Sequence, residues 1–160
     1  MNDDDPHLEE RPNKLLRKIS NPEALRSKPD LYLIQKLDAV VARERQNYLP
    51  EMAKLVEGLV RLLREQASPS QMWPIAHELR CMAGTFGFEL LGEVARNFCT
   101  LIQGNDQSKK KVETLPPDVS QVFAAALLRA RDISGEYSIE EEAILLGLRT
   151  IVARELKARG

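Results

Sequence analysis

Aromatic residues make up only 5% of this chain and are scattered along it, which argues against a base-stacking platform for nucleic acid. The formal net charge is -1, so bulk charge gives no pull toward DNA, RNA or an anionic membrane. There is no apolar run near the ~18 residues a membrane span needs. The opening segment, MNDDDPHLEERP, is acidic and has no apolar stretch, so no signal peptide is expected and the cytoplasm is the default compartment. Two cysteines, Cys81 and Cys99, fall in no CxxC pattern, and a structural disulfide is not expected. P-loop, GxSxG, HExxH and paired-glycine nucleotide signatures are all missing, so a metabolic enzyme finds no support. His77, Cys81 and Cys99 lack a fourth ligand, and no metal site is expected.

What is present is helical periodicity. With 160 residues and 43% hydrophobic content, the chain has material for one domain with a packed core. No period-two strand pattern occurs. Residues 1–29 hold four prolines and read as an N-terminal arm in which only Asn13 to Ile19 looks helical. His7 lies in that arm. A first amphipathic segment is expected from about Asp30 to Gln46, with Leu33, Ile34, Leu37, Val40 and Val41 on one face, and Pro50 either ends it or opens the next helix. A second carries Met52, Leu55, Val56, Leu59, Leu62 and Leu63 to about Gln66.

Ser68, Pro69 and Gln71 form a start signal for a third helix, which breaks near Gly87. The fourth, over about 88–103, aligns Leu90, Leu91, Val94, Phe98, Leu101 and Ile102. A polar loop follows, whose lysines at 109–111 read as solvated charge able to steer an acidic partner surface. Asp118 with Gln121 opens a fifth helix carrying Val122, Phe123, Ala126, Leu127 and Ala130. Ser138 with Glu141 is a capping box for a last helix to about Ala158, with Ile144, Leu148, Ile151 and Val152 apolar and Gly147 in its middle. Short connections favour antiparallel neighbours.

The third helix presents an odd outer face. Each residue advances about 100° around the axis, which sets Ile75, Leu79, Met82 and Phe86 opposite His77 and flanks them with Met72 and Ala83. His77 then points to solvent, with Arg80, Cys81 and Gly84 at i+3, i+4 and i+7, and Trp73 one turn before. A bland solvent face would carry Glu, Lys and Gln. Gly84 costs the helix about 1 kcal/mol relative to alanine, which points to close approach by another surface. An imidazole is a usable nucleophile near neutral pH, and a guanidinium one turn on can bond phosphoryl oxygens. Trp73 reads equally as a helix anchor and as a partner contact.

The stretch AHELRCMAGTFGFELLGEVA resembles the histidine-containing phosphotransfer (HPt) domain, whose motif runs roughly A-H-x-L-K/R-G-x-A-x-x-x-G. Ala76, His77, Leu79, Arg80, Ala83, Gly87, Leu91 and Ala95 stand at matching places, and Cys81 replaces the family glycine. The resemblance implies an all-α, antiparallel four-helix bundle over 30–134 with an N-terminal covering helix; the additional C-terminal helix at 135–160 lies outside the resemblance, and its surplus of apolar positions leads to the expectation that it packs on the bundle's outside or forms a dimer contact. The resemblance also implies a phosphorelay intermediate, with His77 as phosphoacceptor and Arg80 as phosphoryl contact. Trp73, Glu78, Cys81, Gly84 and Gly87 would meet the partner, Glu78 being also a candidate to orient the ring. Partners would be response-regulator receiver domains and a hybrid sensor kinase, with Mg2+ supplied by the receiver, no cofactor of the chain's own and no ATP-dependent kinase activity. A monomer is expected rather than a dimer. The string HELR is also similar to the H-box of sensor histidine kinases, so a stand-alone relay of the kinase dimerisation type is an alternative, as is a degenerate domain that only binds.

Overall fold

The computed structural model describes residues 30–104 and 112–159. The expected arm at 1–29, with His7, and the lysines at 109–111 lie outside the described residues. The described part is all-helical, with five helices and no strand: α1 (Leu31–Arg64), α2 (Pro69–Thr85), α3 (Glu89–Gln103), α4 (Pro117–Arg131) and α5 (Ile139–Arg159). None of these helices is long and apolar enough to cross a membrane. The chain divides into two units, 1–38 and 39–160.

Of the first unit, the described part is the opening of α1. Asp30 caps it, its Oδ1 accepting from the Tyr32 N–H at 2.9 Å. Leu31, Tyr32, Leu33, Ile34 and Leu37 are all exposed. The expected break at Pro50 does not occur: α1 is continuous through it. A proline inside a helix frees the carbonyl four residues back. Here both Pro50 and Gln46 are exposed, so water can take that carbonyl. The separate N-terminal covering helix is therefore replaced by the first turns of a 34-residue helix.

In the second unit, α1 contributes Met52, Val56, Leu59, Val60 and Leu63 to the core. It closes in a Schellman arrangement, with Ala67 N–H bonding Leu62 O at 2.9 Å and Gln66 N–H bonding Leu63 O at 3.3 Å. Gln66 occupies the left-handed position, φ 54°, where glycine is usual.

α3 is the helix around which the unit is built, because it packs against α2, α4 and α5. Its buried set includes Ala95, Asn97 and Cys99 besides the expected Leu90, Leu91, Val94, Phe98 and Leu101. A helix covered on one side would bury only one stripe. The second covering comes from α5, which places Leu145, Leu148 and Val152 in the same core cluster. Residues 135–160 were expected to add a helix that packs on the bundle or forms a dimer contact; α5 packs against α3 and α4, with Leu145, Leu148 and Val152 buried. Its start is fixed by Glu141, which accepts from the Ser138 N–H at 2.7 Å and also from the Ser138 hydroxyl. Its end is fixed by Arg159, whose Nη1 donates to Leu101 O at 2.9 Å. Outside its own helix backbone, no described atom lies within 4 Å of a Cβ built on Gly147, so that glycine serves no close approach among the described residues.

Candidate functional site

α2 begins at the expected signal. Ser68 precedes it, and Gln71 Oε1 accepts from the Ser68 N–H at 3.1 Å and from its Oγ at 3.0 Å, which holds the entering chain. Pro69 fits the first turn, and Pro74 is tolerated because Ser70, whose carbonyl it frees, is exposed. The helix ends at Gly87, φ 72°, where the Phe88 N–H bonds Ala83 O at 2.9 Å.

The buried stripe of α2 is Met72, Ala76, Leu79 and Ala83. Ile75, Met82 and Phe86 are only partly buried. At 100° per residue this stripe is centred roughly 50° from the pole expected opposite His77, toward Ala76. The reason is that α2 makes its closest packing with α3, where small residues meet: a Cβ on Gly92 would lie 3.7 Å from Ala83 Cβ and 3.6 Å from Gly84 N. On the other side, Phe86 is held by Tyr48 of α1, the rings stacked at 4.7 Å.

His77, Glu78, Arg80, Cys81 and Gly84 are exposed. Outside its own helix backbone, no described atom lies within 4 Å of a Cβ built on Gly84, so that side of the residue is open although its N–H side packs on Gly92. Trp73 is half-buried against the core, and its indole centroid stands 5.5 Å from the His77 ring at an interplanar angle of 39°. No hydrogen bond joins Glu78 to the His77 ring among the described residues, so the ring-orienting role weighed for Glu78 has no contact behind it. Gly87 is half-buried at the α2–α3 turn, and its carbonyl accepts from the Gly135 N–H at 3.1 Å. Its positive φ gives it a backbone duty that requires no partner.

Arg80 and Gly84 line a shallow cavity of about 300 Å³ with Glu89, Gly92, Glu93, Arg96 and Tyr137. Within it Glu93 pairs with Arg96 at 3.1 Å and with Arg149 at 3.6 Å. The α3 members of this groove went unread because their helix was taken to face one way. Gly92, eight residues after Gly84, was the available signal of close packing. Tyr137 arrives from the α4–α5 connection, and nothing in its own neighbourhood marks it.

Cys99 is buried, and burial pushes its thiol up to about 11, against the weaker opposing effect of the Arg80 guanidinium. Among the described residues, no group of three or more His, Cys, Asp or Glu is placed to hold a metal ion. No protein-family model, curated protein or solved structure matches the chain.

Proposed function

We propose that the chain is a phosphorelay intermediate of the HPt type, built on an antiparallel four-helix bundle and carrying a phosphoryl group on His77. The observation that carries this reading is an imidazole exposed on a packed helix, with Arg80 and the bare backbone of Gly84 on the same face. A phosphoryl donor buried in a partner's acidic pocket must be reached by the whole helix face, and a missing Cβ removes one obstacle to that.

The transfer balances simply. The unprotonated ring nitrogen of His77 gives its lone pair to phosphorus, forming an N–P bond. The P–O bond of the receiver's aspartyl phosphate breaks, and its electrons return to the aspartate as a carboxylate. The second ring nitrogen keeps its proton or releases it to solvent. The reverse sequence delivers the group to another receiver. Arg80 offers charge-assisted hydrogen bonds to the phosphoryl oxygens, and Mg2+ belongs to the receiver's pocket.

The test is incubation with a phosphorylated receiver domain. Acid-labile, base-stable label is expected on the wild-type chain and none on His77→Gln. Unlabelled wild type would defeat the relay and leave a docking module; label retained on His77→Gln would defeat the site.

A further inference from the structure

We infer that Trp73 is the positioning residue for His77: its indole face holds the imidazole in the orientation from which it reacts. The inference rests on the relay reading and adds a residue to it. Exposed histidines on helices swing between rotamers, and a nucleophile that swings reacts slowly because orientation is a large part of the barrier. Metal-binding and catalytic histidines are commonly held by a hydrogen bond to the second nitrogen. Here no such bond is made among the described residues, and Glu78, the adjacent carboxylate, does not supply it.

The ring contact at 5.5 Å takes its place. Side chains on a helix lean toward its N-terminus, so a residue covers the turn before its own. His77 leans onto position 73 for that reason. Trp73 is a firm support because it is half-buried against the core, in a turn capped by Gln71 and stiffened by Pro69 and Pro74. An aromatic face restrains the ring without engaging either nitrogen in a hydrogen bond.

Three variants of the full chain separate this from packing and from partner contact: Trp73→Phe keeps an aromatic face, Trp73→Leu keeps apolar bulk, and Trp73→Ala keeps neither. Phosphoramidate serves as a donor with no protein surface, and a phosphorylated receiver as the protein donor. With phosphoramidate, Trp73→Leu and Trp73→Ala are expected to lose roughly tenfold in rate at saturating donor, and Trp73→Phe to recover most of it. The His77 ring-proton NMR signals, displaced by the indole ring current in the wild type, should return toward exposed-histidine positions in Leu and Ala variants that remain folded. If Trp73→Leu matches wild type with phosphoramidate, or the His77 signals do not move, positioning is overturned. A loss seen with the receiver alone likewise overturns it and makes Trp73 a partner contact. If wild type accepts from neither donor, the relay reading fails and takes the positioning role with it, even where the NMR signals show the rings in contact.

Discussion

Replacing Leu148 by alanine tests whether α5 belongs to the core. The side chain is 1% exposed and sits in the core cluster with residues of α3. A buried leucine cut to alanine loses its transfer free energy and leaves a cavity, about 2–5 kcal/mol together. Leu146, two residues away on the same helix, is 64% exposed, and its alanine variant should change stability by no more than about 0.5 kcal/mol. Urea unfolding followed by far-UV circular dichroism separates the two. With a slope of about 2 kcal/mol/M, Leu148→Ala should lower the midpoint by about 1–2.5 M and Leu146→Ala by about 0.25 M or less.

Truncation after Gly135 is the stronger form of the same perturbation. It removes Leu145, Leu148 and Val152, each fully or nearly fully buried and each worth about 1.5–3 kcal/mol. The loss of about 5–9 kcal/mol is comparable to the whole stability of a domain, about 5–15 kcal/mol, before the newly exposed side of α3 is counted. The shortened chain should show no cooperative transition. Equal midpoints for the two leucine variants, or a truncated chain that melts like the full one, would refute α5 as a core element.

Three further outcomes are expected. The Ser138 hydroxyl and N–H hold the Glu141 carboxyl below its ordinary value, so its contribution to stability is present above the unfolded glutamate range, near pH ~4.3, and is lost as pH falls through the lower folded value. The stability gap between wild type and Glu141→Gln, measured by urea melts from pH 7 to 3, should shrink in that direction; a constant gap would mean the cap carries no charge effect. Iodoacetamide at pH 8 should label exposed Cys81 in the native chain and add Cys99 only in denaturant, read by intact mass; two labels on native protein would contradict the burial of Cys99. Gln66→Gly should raise stability by about 0.5–1 kcal/mol in thermal melts by relieving a left-handed backbone, a gain that would be absent if the Gln66 side-chain bond to Leu63 O outweighs the strain.

Much of the fold was legible because local signals and core periodicity agreed. Ser68 with Gln71, Gly87, and Ser138 with Glu141 mark helix ends that occur within a residue or two of where they were read. One reading failed, and one was incomplete, for physical reasons that lie outside local sequence. Proline was taken as a stop at position 50, but a proline on the solvent side of a long helix leaves a carbonyl that water can satisfy. The place of α5 was not legible in its own segment, since 135–160 lies outside the resemblance, whereas burial of both sides of α3 required a cover. The clue was in α3 itself: Ala95 and Cys99 continue the apolar character around the helix beyond one stripe. At the site, exposure of His77 followed from spacing alone. The Trp73 contact needed the lean of helical side chains, and the groove with Tyr137 needed tertiary structure.

On the proposed relay reading Gly84 sets stability against transfer, and that makes it the sharpest probe of the reading. Alanine is favoured over glycine in a helix interior by about 0.8–1.0 kcal/mol. Among the described residues the added Cβ would meet no atom within 4 Å outside its own helix backbone, so no clash offsets the gain, and the melting temperature should rise by about 2–4 °C. If the bare backbone exists to admit a partner's surface, the same substitution should slow transfer from a phosphorylated receiver, and slow it more than transfer from phosphoramidate. A purely structural glycine would show the gain in stability with no loss in receiver-dependent rate, and that pair of results would remove Gly84 from the docking face. A more stable protein that passes its phosphoryl group more slowly is what a face kept open for a visitor requires.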